Sequence, residues 1–191
     1  MSKIWITSDL HFNHSRSFLY EPRGFQSVEE MNETIIERFN SKVNPEDEVY
    51  ICGDLCLGGG ELEVLEKNMV LIERLNGRIH VILGNHDTPI RIKMYATCKN
   101  VIEIVYATMI HYHGYHFYLS HFPTLTANLE KETLKQCTIN LFGHTHSKER
   151  FFNDMPFMYN IAMDAHNCYP VLLDDAIKEM KNKVKECKEQ L

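Results

Sequence analysis

The sequence predicts an α/β fold, and three observations predict it. Short apolar runs alternate with helix-patterned stretches. The apolar runs break off into Gly, Asp, Asn and His. The chain has 191 residues at 44% hydrophobic content, enough for one sizeable core. No linker, repeat or low-complexity tract interrupts it, so one domain over 1–191 is expected.

The elements follow in order. "KIWITSD" (3–9) reads as a strand. In "SVEEMNETIIERFNSKV" (27–43), Met31, Ile35, Phe39 and Val43 recur every four residues, which is one helical stripe. Ser27 with Glu30 fits a capping box, and Pro45 marks the stop. "EVYICGD" (48–54) is a second strand, and "ELEVLEKNMVLIERLNG" (61–77) a second helix closed by Gly77. "RIHVILGNHD" (78–87) is a third strand, with a helix beginning near Pro89. Shorter strands are expected around 101–106, 115–121, 138–143 and 159–163, with a hairpin turn at His113-Gly114. The first half thus reads as α/β and the second as more hairpin-like.

Composition excludes several classes. No run of 18 apolar residues occurs, so no membrane span is expected. The N-terminus lacks a signal-peptide pattern, and six scattered cysteines form no C-x-x-C pair. Both point to a reduced, cytoplasmic protein. A formal charge of −6 argues against binding along an extended nucleic acid, but leaves room for a small anion site.

The strand ends carry the chemistry. They read "SDLHFNH", "GDLCLGGG", "GNHD", "LSHFP" and "FGHTH", and they offer Asp9, His11, Asp54, Asn85, His86, His121, His144 and His146 to one region. Sites in α/β sheets form at such carboxyl ends. Imidazole, carboxylate and one amide oxygen, without sulfur, suit Mn²⁺, Fe or Zn²⁺, and the set is too large for one tetrahedral ion. The i, i+2 spacing of Asp9/His11 and His144/His146 is expected to work through an extended chain, where alternate residues point the same way. Singly, each motif has an ordinary reading as exposed alternation, turn chemistry or a helix cap. Together, in this order and each after a strand, they do not.

This order of D-x-H, GD, GNHD, H and GH-x-H resembles the calcineurin-like metallophosphoesterase superfamily, over residues 3 to about 170. The opening "SDLHFNH" and the late "NIAMDAHNCYPV" look like its small bacterial and phage phosphoesterases. The resemblance implies a four-layer α/β/β/α sandwich, two mixed β-sheets flanked by helices, with a dinuclear metal site at the carboxyl ends of strands. It implies that Asp9, His11 and His146 hold one divalent ion and Asn85, His121 and His144 the other, with Asp54 bridging. Mn²⁺ is the first choice, ahead of Fe, Zn²⁺, Ni²⁺ or Co²⁺. The chain is too short for the capping domain of the recombination-type nucleases, and "GNHD" replaces the "GNHE" of the protein phosphatases.

The implied activity is hydrolysis of a small phosphate ester by a metal-bridging hydroxide. His86 would be the acid that protonates the leaving oxygen. Asp87 either holds the His86 imidazole or caps the following helix. His14 and Arg23, in "FNHSRSFLYEPRGF" (12–25), are candidates for phosphate contact, Arg through its planar fork. Asn160 and Asp164 are expected to buttress a ligand histidine. A phosphodiester is preferred to a monoester, and the alternative from another class is a binding module without catalysis. Nothing in the sequence reads a base, sugar or lipid.

Other features are declined. "HYHGYH" (111–116) reads as exposed cross-strand pairs. The tail 177–190, with Glu179, Glu186 and Glu189 between its lysines, reads as a solvated helix face. "GGG" (58–60) lacks the Lys-Ser/Thr of a P-loop.

Overall fold

A computed structural model of the chain describes residues 2–126 and 133–189. In chain order the elements are β1 (Ile4–Thr7), α1 (Ser17–Tyr20), α2 (Val28–Asn40), β2 (Glu48–Cys52), α3 (Leu62–Glu73), β3 (Arg78–Ile82), α4 (Pro89–Tyr95) and β4 (Val101–Val105). Then come β5 (Ala107–Tyr112), β6 (Tyr115–Ser120), β7 (Thr138–Phe142), β8 (Met158–Asn160), β9 (Val171–Leu172) and α5 (Leu173–Glu189), with short 3-10 turns either side of β8. A five-stranded sheet runs β4-β3-β2-β1-β9, parallel except for β9. A four-stranded sheet runs β5-β6-β7-β8, with β6, β7 and β8 parallel and β5 antiparallel. Two mixed sheets flanked by helices are what the resemblance implies.

The central strands are near-continuous apolar runs because both their faces are covered. Trp5, Val49, Ile51, Ile79 and Val81 pack with α2, α3 and α4. Ile6, Cys52 and Ile82 point the other way, into a cluster with Phe117, Leu119, Ile139 and Leu141 of the second sheet. Helix α5 adds Leu173, Ala176, Ile177 and Met180 to that cluster.

Helix α2 forms as its pattern predicts. Ser27 Oγ accepts from Glu30 N at 3.1 Å, while the Glu30 carboxylate accepts from Gln26 N rather than from Ser27 N. Met31, Ile35 and Phe39 are fully buried, each worth roughly 1.5–3 kcal/mol over exposure. Val43 is also buried, but the helix has ended by Asn40.

Gly77 is a correction. Helix α3 ends at Glu73, and Gly77, at φ +95°, makes the left-handed turn into β3 instead of capping the helix. At the β5–β6 turn both His113 (φ 50°) and Gly114 (φ 77°) are left-handed, the type I′ pattern of a two-residue hairpin. His111 faces His116 across the strands with ring centroids 4.5 Å apart, an ordinary cross-strand pair. Helix α1 lies in a segment expected to be a loop, and the two-residue β9 has too little pattern to be read. Described residues of the 177–190 tail continue α5 to Glu189; Gln190 lies outside them.

Candidate metal centre

All the candidate ligands sit just past the carboxyl ends of β1, β2, β3, β6 and β7, so the two sheets share one edge there. Beyond β1 and β2 the chains stay zipped, with Asp9 N donating to Gly53 O (3.0 Å) and His11 N to Asp54 O (2.9 Å). Gly143 N donates to His121 O (3.0 Å), which ties β7 to β6 in the same way.

The i, i+2 convergence has a different cause from the one expected. Asp9, His11, Asn13, Asp54, His144 and His146 all have φ between 50° and 69°. Alternate residues are left-handed, not extended, and this backbone sets Asp9 beside His11 and turns His144 and His146 toward different ligand groups. Asp, Asn and His tolerate this conformation better than most residues, yet each instance stores ~1–3 kcal/mol that the surroundings must supply.

Two groups of ligand atoms result. In the first, His11 Nε2 lies 3.2 Å from His146 Nε2, and Asp9 Oδ1 is 3.6 Å and 3.8 Å from those two atoms. In the second, Asn85 Oδ1 lies 2.8 Å from His121 Nε2 and 2.9 Å from His144 Nδ1. Asp54 Oδ2 faces both, 3.7 Å from His11 Nε2 and 3.4 Å from His121 Nε2.

The surroundings orient three of these ligands. Nδ1 of His121 lies 2.9 Å from Cys52 O, which can only accept. The proton therefore sits on Nδ1, and the Nε2 lone pair faces the site. Nδ1 of His146 donates to Asp164 Oδ2 at 3.0 Å, which turns Nε2 toward the site; burial pushes this ring's pKa down, but Asp164 and Asp9 outweigh that and raise it. Asp9 Oδ2 accepts from Ser8 Oγ (2.6 Å) and His144 N (2.9 Å). Its Oδ1 is buried and has no hydrogen-bond partner. Carboxylate, amide and imidazole ligand atoms thus converge around a buried carboxylate oxygen that has no partner, an arrangement that a cation resolves.

Protonation follows from burial and neighbours. Burial lowers the pKa of His11 and His144, which keeps both rings neutral as ligands must be. At Asp9 burial pushes upward, but the histidines around it outweigh that and hold the carboxyl below its ordinary value. At Asp164 burial likewise pushes upward, and hydrogen bonds from His146 and Arg23 hold the carboxyl well down. Burial and the neighbouring histidines push His14 down to about 4, so it is neutral at pH 7.

Two expectations are corrected here. Arg23 is not open to substrate. Its guanidinium, 1% exposed, grips Asp164 through Nε (3.0 Å) and Nη2 (2.7 Å) and donates to the carbonyls of Asp9 and Leu10. It holds the first ligand loop from behind. Asp87 neither holds the His86 ring nor caps α4, whose N-cap Thr88 has no side-chain bond. Its Oδ2 accepts from Asp54 N (3.0 Å) and Gly84 N (2.7 Å), and its Oδ1 from the Tyr95 hydroxyl (2.7 Å). It therefore clamps the Asp54 loop to the Asn85 loop.

The remaining candidates fall as follows. His86 is exposed, its ring 5.6 Å from His11, and its backbone N donates to Asp54 Oδ1 at 2.9 Å. His11, His14, His86, His146 and Asp164 line a cavity of about 410 Å³ with Phe18, Leu19 and Pro22. Asn160 is buried behind the His146 loop, donating to Ser147 O and Glu149 O.

Sequence reasoning missed several supports. Arg91 donates to the carbonyls of His86 and Gly58. A chain of amides runs from Asn32 through Asn13 to Asn68. No local pattern signals either. The motif glycines were available to find, being more than turn residues. A Cβ on Gly53 would strike His121, one on Gly84 would strike Asp54, and one on Gly143 would strike Asp9 and Ser8. Gly143→Ala is accordingly expected to weaken divalent-ion affinity by ~10–100-fold, the usual effect of disturbing a ligand's support. Competition with a fluorescent chelator measures it, and unchanged affinity would show that the Asp9 cradle has slack.

The family model of calcineurin-like phosphoesterases matches residues 2–148, which hold every candidate ligand. The chain belongs to the calcineurin-like phosphoesterase family. Its enzymatic class is therefore hydrolysis of phosphate esters, and the Asp/His clusters suit the divalent ions of such an enzyme. An uncharacterised protein of Methanocaldococcus jannaschii is 34% identical over 93% of this chain and 91% of its own. The gene 66 protein of a Mycobacterium phage is 29% identical over 97% of this chain and 99% of its own. A solved structure of a protein of unknown function from Aquifex aeolicus superposes with TM-score 0.68 at 20% identity, covering 93% of this chain and 99% of that one, and shares the fold. No helix among the described residues is long and apolar enough to cross a membrane.

Proposed function

We propose that this calcineurin-like phosphoesterase hydrolyses a phosphodiester, using two Mn²⁺ ions and His86 as the general acid. The observation that carries the reading is Asp54 Oδ2, which faces both ligand groups, 3.7 Å from His11 Nε2 and 3.4 Å from His121 Nε2. Asp9, His11 and His146 would hold one ion, Asn85, His121 and His144 the other, and Asp54 both. Bound there, the ions supply an activated water and neutralise charge on the phosphate.

The chain's own residues do the rest. His86 stands exposed at the cavity beside the first ligand group, and its Nε2 or Nδ1 proton can pass to the leaving oxygen. Arg91 and Asp54 fix the backbone on either side of that ring, through His86 O and His86 N. His14, neutral, offers a hydrogen bond rather than a charge to the ester. Burial pushes the Cys56 and Cys98 thiols up to about 12 and 11, so they stay protonated and take no part. Buried thiols of this kind suit a reduced cytoplasm.

The test is hydrolysis of bis-p-nitrophenyl phosphate and p-nitrophenyl phosphate by metal-stripped protein reloaded with Mn²⁺. Faster turnover of the diester is expected, and faster turnover of the monoester would make this a phosphomonoesterase. His86→Ala should lower turnover by ~10²–10⁴-fold, the usual worth of a positioned acid, with both ions retained by elemental analysis. No turnover of either ester with ions bound would favour a binding module.

A further inference from the structure

We infer that the ester arms of the substrate carry flat aromatic rings, and that the ligand is a dinucleotide-like phosphodiester held by Phe18 on one arm and Phe122 on the other. The inference rests on the phosphoesterase reading only for the seat of the phosphate.

Single exposed apolar side chains are commonplace on protein surfaces. These two differ in where they stand and how they are held. Phe18 is 71% exposed and lines the same cavity as His11, His86 and His146. Its ring lies edge-on to His14 at 5.2 Å, and His14 lies edge-on to the candidate ligand His11 at 5.5 Å. Phe122 is 49% exposed, with its ring edge-on to the candidate ligands His121 (5.0 Å) and His144 (4.7 Å). One phenyl ring therefore adjoins each ligand group.

Neither ring is placed by chance of a loose loop. Phe18 sits in α1, closed by Glu21 N donating to Ser17 O at 2.9 Å. Phe122 O accepts from Ser120 Oγ at 2.9 Å, and Thr124 N donates to the buried Asn140 at 2.7 Å. Buried Ser120 and Asn140 thus fix the backbone that presents Phe122, and the buried Leu19 anchors the short helix that presents Phe18.

A phosphate seated over Asp54 has two ester arms if it is a diester and one if it is a monoester. Two rings flanking the seat match two arms. Rings that keep a face open to water suit stacking by a nucleobase, which needs no base-specific hydrogen bonds. A ligand this short also fits a chain of net charge −6, which disfavours binding along a polynucleotide.

The test compares the binding of two probes by calorimetry on the Mn²⁺-loaded protein. One is the hydrolysis-resistant phosphorothioate of thymidylyl-thymidine, and the other is dimethyl phosphorothioate, a diester without rings. The ratio of the two affinities is the readout, because damage to the metal centre alone would weaken both probes together. The dinucleotide is expected to bind more than tenfold tighter. Phe18→Ala and Phe122→Ala should each cut the ratio by about five- to a hundredfold, and Phe122→Leu, which keeps bulk but not the ring, should cut it too. A ratio near one in the unaltered protein, or one unmoved by either alanine variant, overturns the inference. Absence of hydrolysis with the ratio intact would instead remove the catalytic reading and leave the recognition standing.

Discussion

Asp54→Ala is expected to lose both divalent ions and to lower ester hydrolysis by about 10³-fold or more, since metal-assisted charge stabilisation supplies several kcal/mol. Its Oδ2 faces both ligand groups, and with Asp9 and His121 it forms one of the two clusters that Asp9 joins. The metal-free variant should melt no lower than the unaltered protein. In the unloaded site Asp54 and Asp9 are buried carboxylates, at 1% and 0% exposure, and removing one relieves their mutual repulsion. Asp54→Asn separates the two effects, because it keeps an oxygen for His86 N. Elemental analysis and thermal melts with and without Mn²⁺ check both halves. Retention of both ions by the alanine variant would remove Asp54 from the bridging role.

Arg23→Ala should destabilise the fold by ~3–5 kcal/mol, the range for breaking a buried ion pair from one side. Asp164 would then keep only His146 as a partner, and the carbonyls of Asp9 and Leu10 would lose their donor. The same pair sets an acid limit. The folded-state pKa of Asp164 lies below the ordinary 3.8, so its contribution is present above about pH 4 and is lost as pH falls further. Denaturant unfolding of Arg23→Ala beside the unaltered protein, between pH 7 and pH 3, measures both. The gap between the two proteins should narrow at the acid end. A constant gap would place the stabilisation in Arg23's backbone bonds rather than in the ion pair.

Much of the candidate site could be read from the sequence because its candidate ligands lie at strand ends, where an apolar run stops and a polar motif begins. Asp9, His11, Asp54, Asn85, His121, His144 and His146 each carried that mark. What supports them carried none. Arg23 pairs with Asp164 across 141 positions, and no window of sequence spans such a distance. Asp87 looked like a partner for its neighbour His86, yet its bonds go to Asp54, Gly84 and Tyr95. The left-handed backbone at the ligands was hidden as well, because Asp and His are found in extended as well as in left-handed backbone. Helix α3 was read four residues too long, since Gly77 is as natural before a strand as after a helix. Phe18 and Phe122 had no periodic context to set them apart.

The shared edge of the two sheets also governs when the centre can exist. Strands β1, β2 and β3 carry Asp9, His11, Asp54 and Asn85, while β6 and β7 carry His121, His144 and His146. Each ligand group draws on both sheets. A nascent chain that has emerged only as far as β4 can pair its parallel strands and bury α2 against them, but it holds no complete set for either ion. With the proposed ligand sets, ion capture would wait until His146 has left the ribosome and the second sheet has docked, and metal occupancy would report on finished assembly.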